Sequence, residues 1–143
     1  ATHVEEGQAQ RIVLEKLQFS LSVNILSGLL NRSLDDVFYD PKLQPFLEYI
    51  ATLVQNIGAN LGIQNVRSYK QFSKNTGLTR GHFSSFWHDL KTGKTPENKA
   101  IVDAAIELGR YVNSQTIQNQ LKLTPLLKLK ELVDTLKAKI KSI

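Results

Sequence analysis

Apolar residues recur along most of this chain at spacings of three and four, the period of a helix with one buried face. Phe46, Ile50, Leu53, Val54, Ile57 and Leu61 make one such face. Asp40-Pro41 before it offers an N-cap and a first-turn proline, and Gly58 and Gly62 mark its fraying end. Ile101, Val102, Ala105, Ile106 and Leu108 make a second face, opened by Thr95-Pro96-Glu97, with Gly109 as a point of interruption. Thr124-Pro125 opens a last helix. There Leu126, Leu129, Val133, Leu136 and Ile140 alternate spacings of three and four, a heptad seam that Leu132 widens. Shorter helices follow from Ser33-Leu34-Asp35-Asp36, a capping-box variant leading toward Tyr39, and from Ser68 with Gln71, a second capping box.

The stretch from Gln8 to Asn31 carries two periods at once. Leu17, Phe19, Leu21, Val23 and Ile25 alternate with polar residues as a strand would. Phe19, Val23, Leu26 and Leu30 also fit a helical stripe, as do Leu14, Leu21 and Ile25. No second strand candidate exists for pairing within the chain, so the pattern favours a helix; a strand would need a partner from a second copy. The predicted fold class is all-α: one multi-helix globular domain over 1–143, containing a helix-turn-helix and ending in an amphipathic helix. Its parts are an N-terminal helical segment (8–40), a helix-turn-helix core (41–113) and C-terminal helices (114–143).

Composition adds limits. The chain has 143 residues, 41% apolar and 22% charged, and no cysteine. That suits a soluble globular domain and excludes disulfides, thiolate nucleophiles and cysteine metal sites. No apolar run reaches the length of a bilayer span, so no membrane insertion is expected. The net charge is +5, unevenly spread. Residues 1–65 hold four lysines and arginines against seven acids, whereas residues 66–99 hold seven against two. The six lysines after residue 120 form a second cationic region.

The first cationic region coincides with a motif. Residues 69–88 place the small Ser73 where two helices would cross, Gly77 at a sharp turn, and Phe72, Leu78, Phe83 and Phe86 where apolar groups would pin a second helix to the first. From about Leu43 to Val112 the order of elements resembles the lambda-repressor/Cro-like (XRE-type) helix-turn-helix domains. Gly93-Lys94-Thr95-Pro96 and Leu108-Gly109 fit that family's continuation. The resemblance implies double-stranded DNA as partner, with Thr79, Arg80, Gly81, Ser84, Ser85 and His88 facing the major groove and Tyr69, Lys70 and Lys94 near phosphates. Arg67, Lys74 and Lys91 complete the cationic surface. The chain departs from the family at Tyr69 and Lys70, which stand where a glutamine is usual, at Thr76, and at Gly81 inside the recognition helix.

The remaining chemistry is sparse. His82 and His88, six apart, do not share a ligand face, and Asp35, Asp36 and Asp40 lack a calcium-loop spacing. There is no glycine-rich phosphate loop, nucleophile elbow or supported carboxylate pair, so neither catalysis nor a cofactor or metal is expected. The C-terminal seam has three readings: packing on the domain, dimerisation through Leu126, Leu129, Val133, Leu136 and Ile140, or laying lysines on an acidic surface. The sequence therefore predicts a cytoplasmic, homo-oligomeric DNA-binding regulator or nucleoid organiser, RNA being a variant partner. The alternative is a helical assembly module that keeps a helix-turn-helix shape without reading DNA.

Overall fold

The computed structural model describes residues 3–71, 81–93, 98–115 and 120–141, with side chains over a slightly smaller set. Among the described residues every regular element is helical, as the periodicity predicts. The Gln8–Asn31 ambiguity resolves as helix: α1 (His3–Phe19), a π-helical turn (Ser20–Asn24) and α2 (Ile25–Leu30) run on without a break. Alternation misled here because the π turn is covered on several sides at once. Leu21, Ser22, Val23 and Ile25 are all buried, so polar and apolar positions no longer report a single face.

Gln8–Leu30 is long and apolar enough to cross a bilayer by length and composition, contrary to the sequence reading. The segment packs part of its apolar surface inside the chain and leaves Ile12, Val13 and Leu30 exposed. It lies against α4 (Gln44–Asn60) and α6 (Asn98–Gln115). Leu21 and Ile25 join Ile50, Val54, Ile57, Val102 and Ala105 in the main core. A smaller core joins Val23 to Leu47, to Tyr69 and to Val37 and Phe38 of α3 (Leu34–Phe38).

Helix α4 begins later than its sequence signals imply. Asp40 does not cap it. One carboxylate oxygen of Asp40 accepts the Lys42 N–H at 2.9 Å and the other pairs with Arg32 at 2.7 Å, so Leu43 takes the cap position. The buried face is Ile50, Leu53, Val54 and Ile57, while Leu61 stays exposed. Helix α5 (Ser85–Thr92) ends at Gly93, whose φ of 77° suits a left-handed C-cap.

Gly109 does not interrupt α6, which continues to Gln115. A β-carbon on Gly109 would meet Leu123 Cδ2 at 2.5 Å, so this glycine serves packing rather than termination. Helix α7 (Thr124–Lys141) opens at Thr124-Pro125 and packs on α6. Leu126, Leu129 and Val133 are buried in the chain's own core. That corrects the dimerisation reading for these three, since their apolar surface is already covered. Leu132 is 56% exposed and does not widen the seam. The side chains of Leu136 and Ile140 lie outside the described residues.

Candidate functional site at the π-helical seam

A π turn hydrogen-bonds five residues ahead, widens the helix and leaves carbonyls free of the usual ladder; such turns concentrate at functional sites. Here the wider turn is met by the start of α5. Ser84 is 3% exposed, and its hydroxyl donates to the Asn24 carbonyl at 2.7 Å. The same oxygen accepts the Trp87 N–H at 3.1 Å, which makes Ser84 the N-cap of α5. Its own N–H reaches Ser27 Oγ at 3.3 Å, and Ser27 Oγ donates onward to the Arg32 carbonyl at 2.7 Å. One buried hydroxyl thus ties two elements that are sixty residues apart in the chain.

The residues leading into α5 are stitched to the same bank. The Leu34 N–H donates to the His82 carbonyl at 2.7 Å. Gly81 has φ of 77° and its N–H donates to Asp35 Oδ1 at 3.0 Å. That bond, with one from Ser33, holds the Asp35 carboxyl below its ordinary range. Trp87 Nε1 donates to Asn31 Oδ1 at 2.6 Å, and the Phe83 ring stacks on Trp87 with centroids 4.3 Å apart. Trp87 therefore packs on the N-terminal part.

The outer side of the long helix carries Lys16, Ser20 and Asn24, four residues apart, exposed at the first and half-exposed at the other two. This polar ladder leads to the start of α5, where Ser85 is exposed. A cation, a hydroxyl and an amide at successive four-residue steps are groups that suit a small carboxylate with further oxygen acceptors. Among the described residues no group of three or more His, Asp or Glu is placed to hold a metal ion.

The residues assigned to nucleic acid are placed quite differently. Arg67 is bound to Glu15. Its Nε and Nη2 reach the two carboxylate oxygens at 3.0 Å each, and its backbone N–H adds a bond at 2.8 Å. Tyr69 is buried, with its hydroxyl donating to Gln44 Oε1. Lys70 pairs with Glu48 at 3.6 Å, and Lys91 lies 5.5 Å from the Trp87 ring centroid. Ser84 is internal, Gly81 is in a turn, and Ser85 and His88 are exposed. Gly81 does not lie inside a recognition helix: residues 81–84 are non-helical, and the helix that follows starts at Ser85 with Ser84 as its cap. Lys74, Thr79, Arg80 and Lys94 lie outside the described residues, as do Ser73 and Gly77.

Residues 8–131 match the family described as ketopantoate reductase PanE/ApbA C terminal. The chain belongs to that family. It is also 31% identical over 101 residues to a 2-dehydropantoate 2-reductase of Mesorhizobium japonicum (strain LMG 29417 / CECT 9101 / MAFF 303099), a match covering 71% of this chain and 31% of the relative. The chain thus spans about a third of the length of this curated relative. No solved structure matches.

Membership in the ketopantoate reductase family overturns the helix-turn-helix resemblance, the DNA partner, the regulatory role and the expectation of no enzymatic connection. It gives no support to the assembly-module alternative either. The family match contains both banks of the seam, the π turn and the Ser84 cap. Sequence reasoning missed Lys16, Ser20 and Asn24. Their four-residue spacing was the available signal, and the strand-like alternation around it concealed the period.

Proposed function

We propose that this chain is the helical domain of an enzyme that reduces 2-dehydropantoate, or a closely similar 2-oxo acid, at carbon 2. The observation that carries the reading is the family match, which runs through residues 8–131 and so includes the whole seam. The relative's name specifies a reductase acting on 2-dehydropantoate. In this reading Lys16 attracts the substrate carboxylate, and Ser20, Asn24 and Ser85 supply hydrogen bonds that fix its orientation. Ser84 works from behind by holding α5 against the π turn.

Reduction of a ketone places a hydride on carbon and a proton on oxygen, so it needs a two-electron donor. Nicotinamides and flavins are the usual hydride carriers. The chain's sequence has no glycine-rich phosphate-cradling loop, so its residues do not fit a dinucleotide donor by themselves, and no step is assigned through one. The setting that goes with this reading is cytoplasmic. Nucleoid association belonged to the DNA reading and falls with it.

The test is an assay of a full-length enzyme containing this domain. It would be incubated with 2-dehydropantoate and a reduced nicotinamide or, separately, a reduced flavin. Formation of the 2-hydroxy acid in step with donor oxidation is the expected result. Intact, folded enzyme that reduces the substrate with neither donor would remove the proposal.

A further inference from the structure

A second concave site lies between α4 and the segment that precedes α7. Its cavity is about 320 Å³, at the small end of the range for small-molecule pockets. Leu53 and Leu121 form an apolar floor, both buried in the main core. Tyr49 walls one side, and its hydroxyl donates to the backbone carbonyl of Lys122, 73 residues away, which fixes the two banks relative to one another. Burial pushes the Tyr49 hydroxyl above its ordinary pKa, so it stays a neutral donor. Asn56 lies one helical turn beyond Leu53 on the same face of α4, and Gln120 faces the cavity from the other bank.

Among the described residues the lining includes one charged residue, Lys122, and no carboxylate. A cationic ligand therefore has nothing to pair with, whereas an anion does. The floor and the tyrosine ring want a compact apolar body rather than a sugar or a phosphate chain. None of these residues belongs to the seam of Lys16, Asn24 and Ser84, so the cavity is a separate site.

We propose that the cavity between Tyr49 and Lys122 binds a small carboxylate with a branched apolar body, its carboxylate toward Lys122 and its hydrocarbon on Leu53 and Leu121. Asn56 adds a side-chain amide beside the carboxylate, while the Gln120 amide donates to the Asn113 carbonyl at 2.8 Å and so holds that bank in place. The site does not depend on the reductase reading.

The experiment is an amide-proton NMR titration of the 143-residue chain with 3-methylbutanoate and, in parallel, with its neutral isostere 3-methylbutanamide. The acid should bind in the millimolar range and shift resonances of residues 49–56 and 120–122. The amide should bind about fivefold more weakly, the scale of a solvent-accessible ion pair. Lys122→Gln should bring the acid down to the amide's affinity and leave the amide unchanged. Thr52→Trp, at an exposed lining position on α4, should block both ligands while the spectrum stays that of the folded chain. No shifts at tens of millimolar acid, shifts confined to the seam, or equal binding of acid and amide would each overturn the proposal.

Discussion

The ring of Phe86 occupies the space that a side chain on Gly28 would need. A β-carbon built on Gly28 meets Phe86 Cδ1 at 2.0 Å and Cε1 at 2.6 Å, and Phe86 is fully buried. This contact brings α5 close enough for Ser84 to reach the π turn. Gly28→Ala gains about 1 kcal/mol of helix propensity. It also overpacks a ring with nowhere to go, at a cost of about 1–3 kcal/mol that rises with the severity of the clash. At 2.0 Å the clash should win and the variant should be less stable in urea unfolding. Adding Phe86→Leu should recover part of the loss relative to Phe86→Leu alone. Additive effects would mean the two residues are not in conflict.

Ser84 joins a helix cap and a cross-chain bond in one oxygen. Ser84→Ala removes the acceptor for the Trp87 N–H and the donor to the Asn24 carbonyl. Loss of a cap costs about 1 kcal/mol, and leaving a buried carbonyl without its donor adds about 1–3 kcal/mol. The expected loss is about 2–4 kcal/mol by chemical denaturation. Hydrogen exchange should quicken both at the start of α5 and around Asn24. Protection lost only within α5 would show that the bond to the π turn carries no weight.

Glu15 and Arg67 predict a pH dependence. Burial works to raise the Glu15 carboxyl, but the Arg67 side-chain and backbone hydrogen bonds outweigh it, and the net value lies below the ordinary 4.5. A carboxyl depressed in the folded state stabilises the fold fully above its unfolded value. That stability is lost as pH falls through the folded value. Unfolding free energy should therefore fall as pH drops below about 4.5, and Glu15→Gln should flatten that fall. At neutral pH Glu15→Gln should cost toward the lower end of about 3–5 kcal/mol, because Arg67 is one-third exposed and water partly serves it. An unchanged acid limb in the variant would remove Glu15 as its source.

These three relationships mark where the sequence stopped being legible. The helices were readable because their signals are local. Three- and four-residue spacings gave the buried faces of α4 and α6, and Thr124-Pro125 gave the start of α7. The all-α class followed from them. What each polar residue does was not local. Ser84 sits at an outward position of a notional recognition helix, yet its partner is a carbonyl sixty residues earlier. Arg67 counts toward a cationic surface, yet its charge is taken by Glu15 fifty-two residues earlier. Small residues, a turn glycine and apolar pins describe any tight helical corner. The inference to DNA rested on which side chains face outward, and spacing alone does not decide that. The site was hidden for a related reason. Lys16, Ser20 and Asn24 keep a four-residue spacing, but the strand-like alternation from Leu17 to Ile25 runs across it and masks that period.

The ladder itself supplies the prediction closest to function, and it rests on the reductase proposal. Lys16 is exposed and Asn24 half-exposed, so neither substitution removes much packing. In a full-length enzyme containing this domain, Lys16→Ala should lower kcat/KM for the 2-oxo acid by about tenfold or more, the scale of one charge-assisted hydrogen bond of about 1.5–3 kcal/mol. If Lys16 mainly attracts the carboxylate, KM should rise with kcat little changed, since uniform binding is what is removed. Asn24→Ala, if its amide orients the ketone, should lower kcat as well, because misplacement raises the barrier rather than weakening capture. Steady-state kinetics on both variants, with circular dichroism to verify helix content, separates these outcomes. Wild-type kcat and KM in both would place the substrate elsewhere on the domain and leave the seam a structural joint between α5 and the π turn.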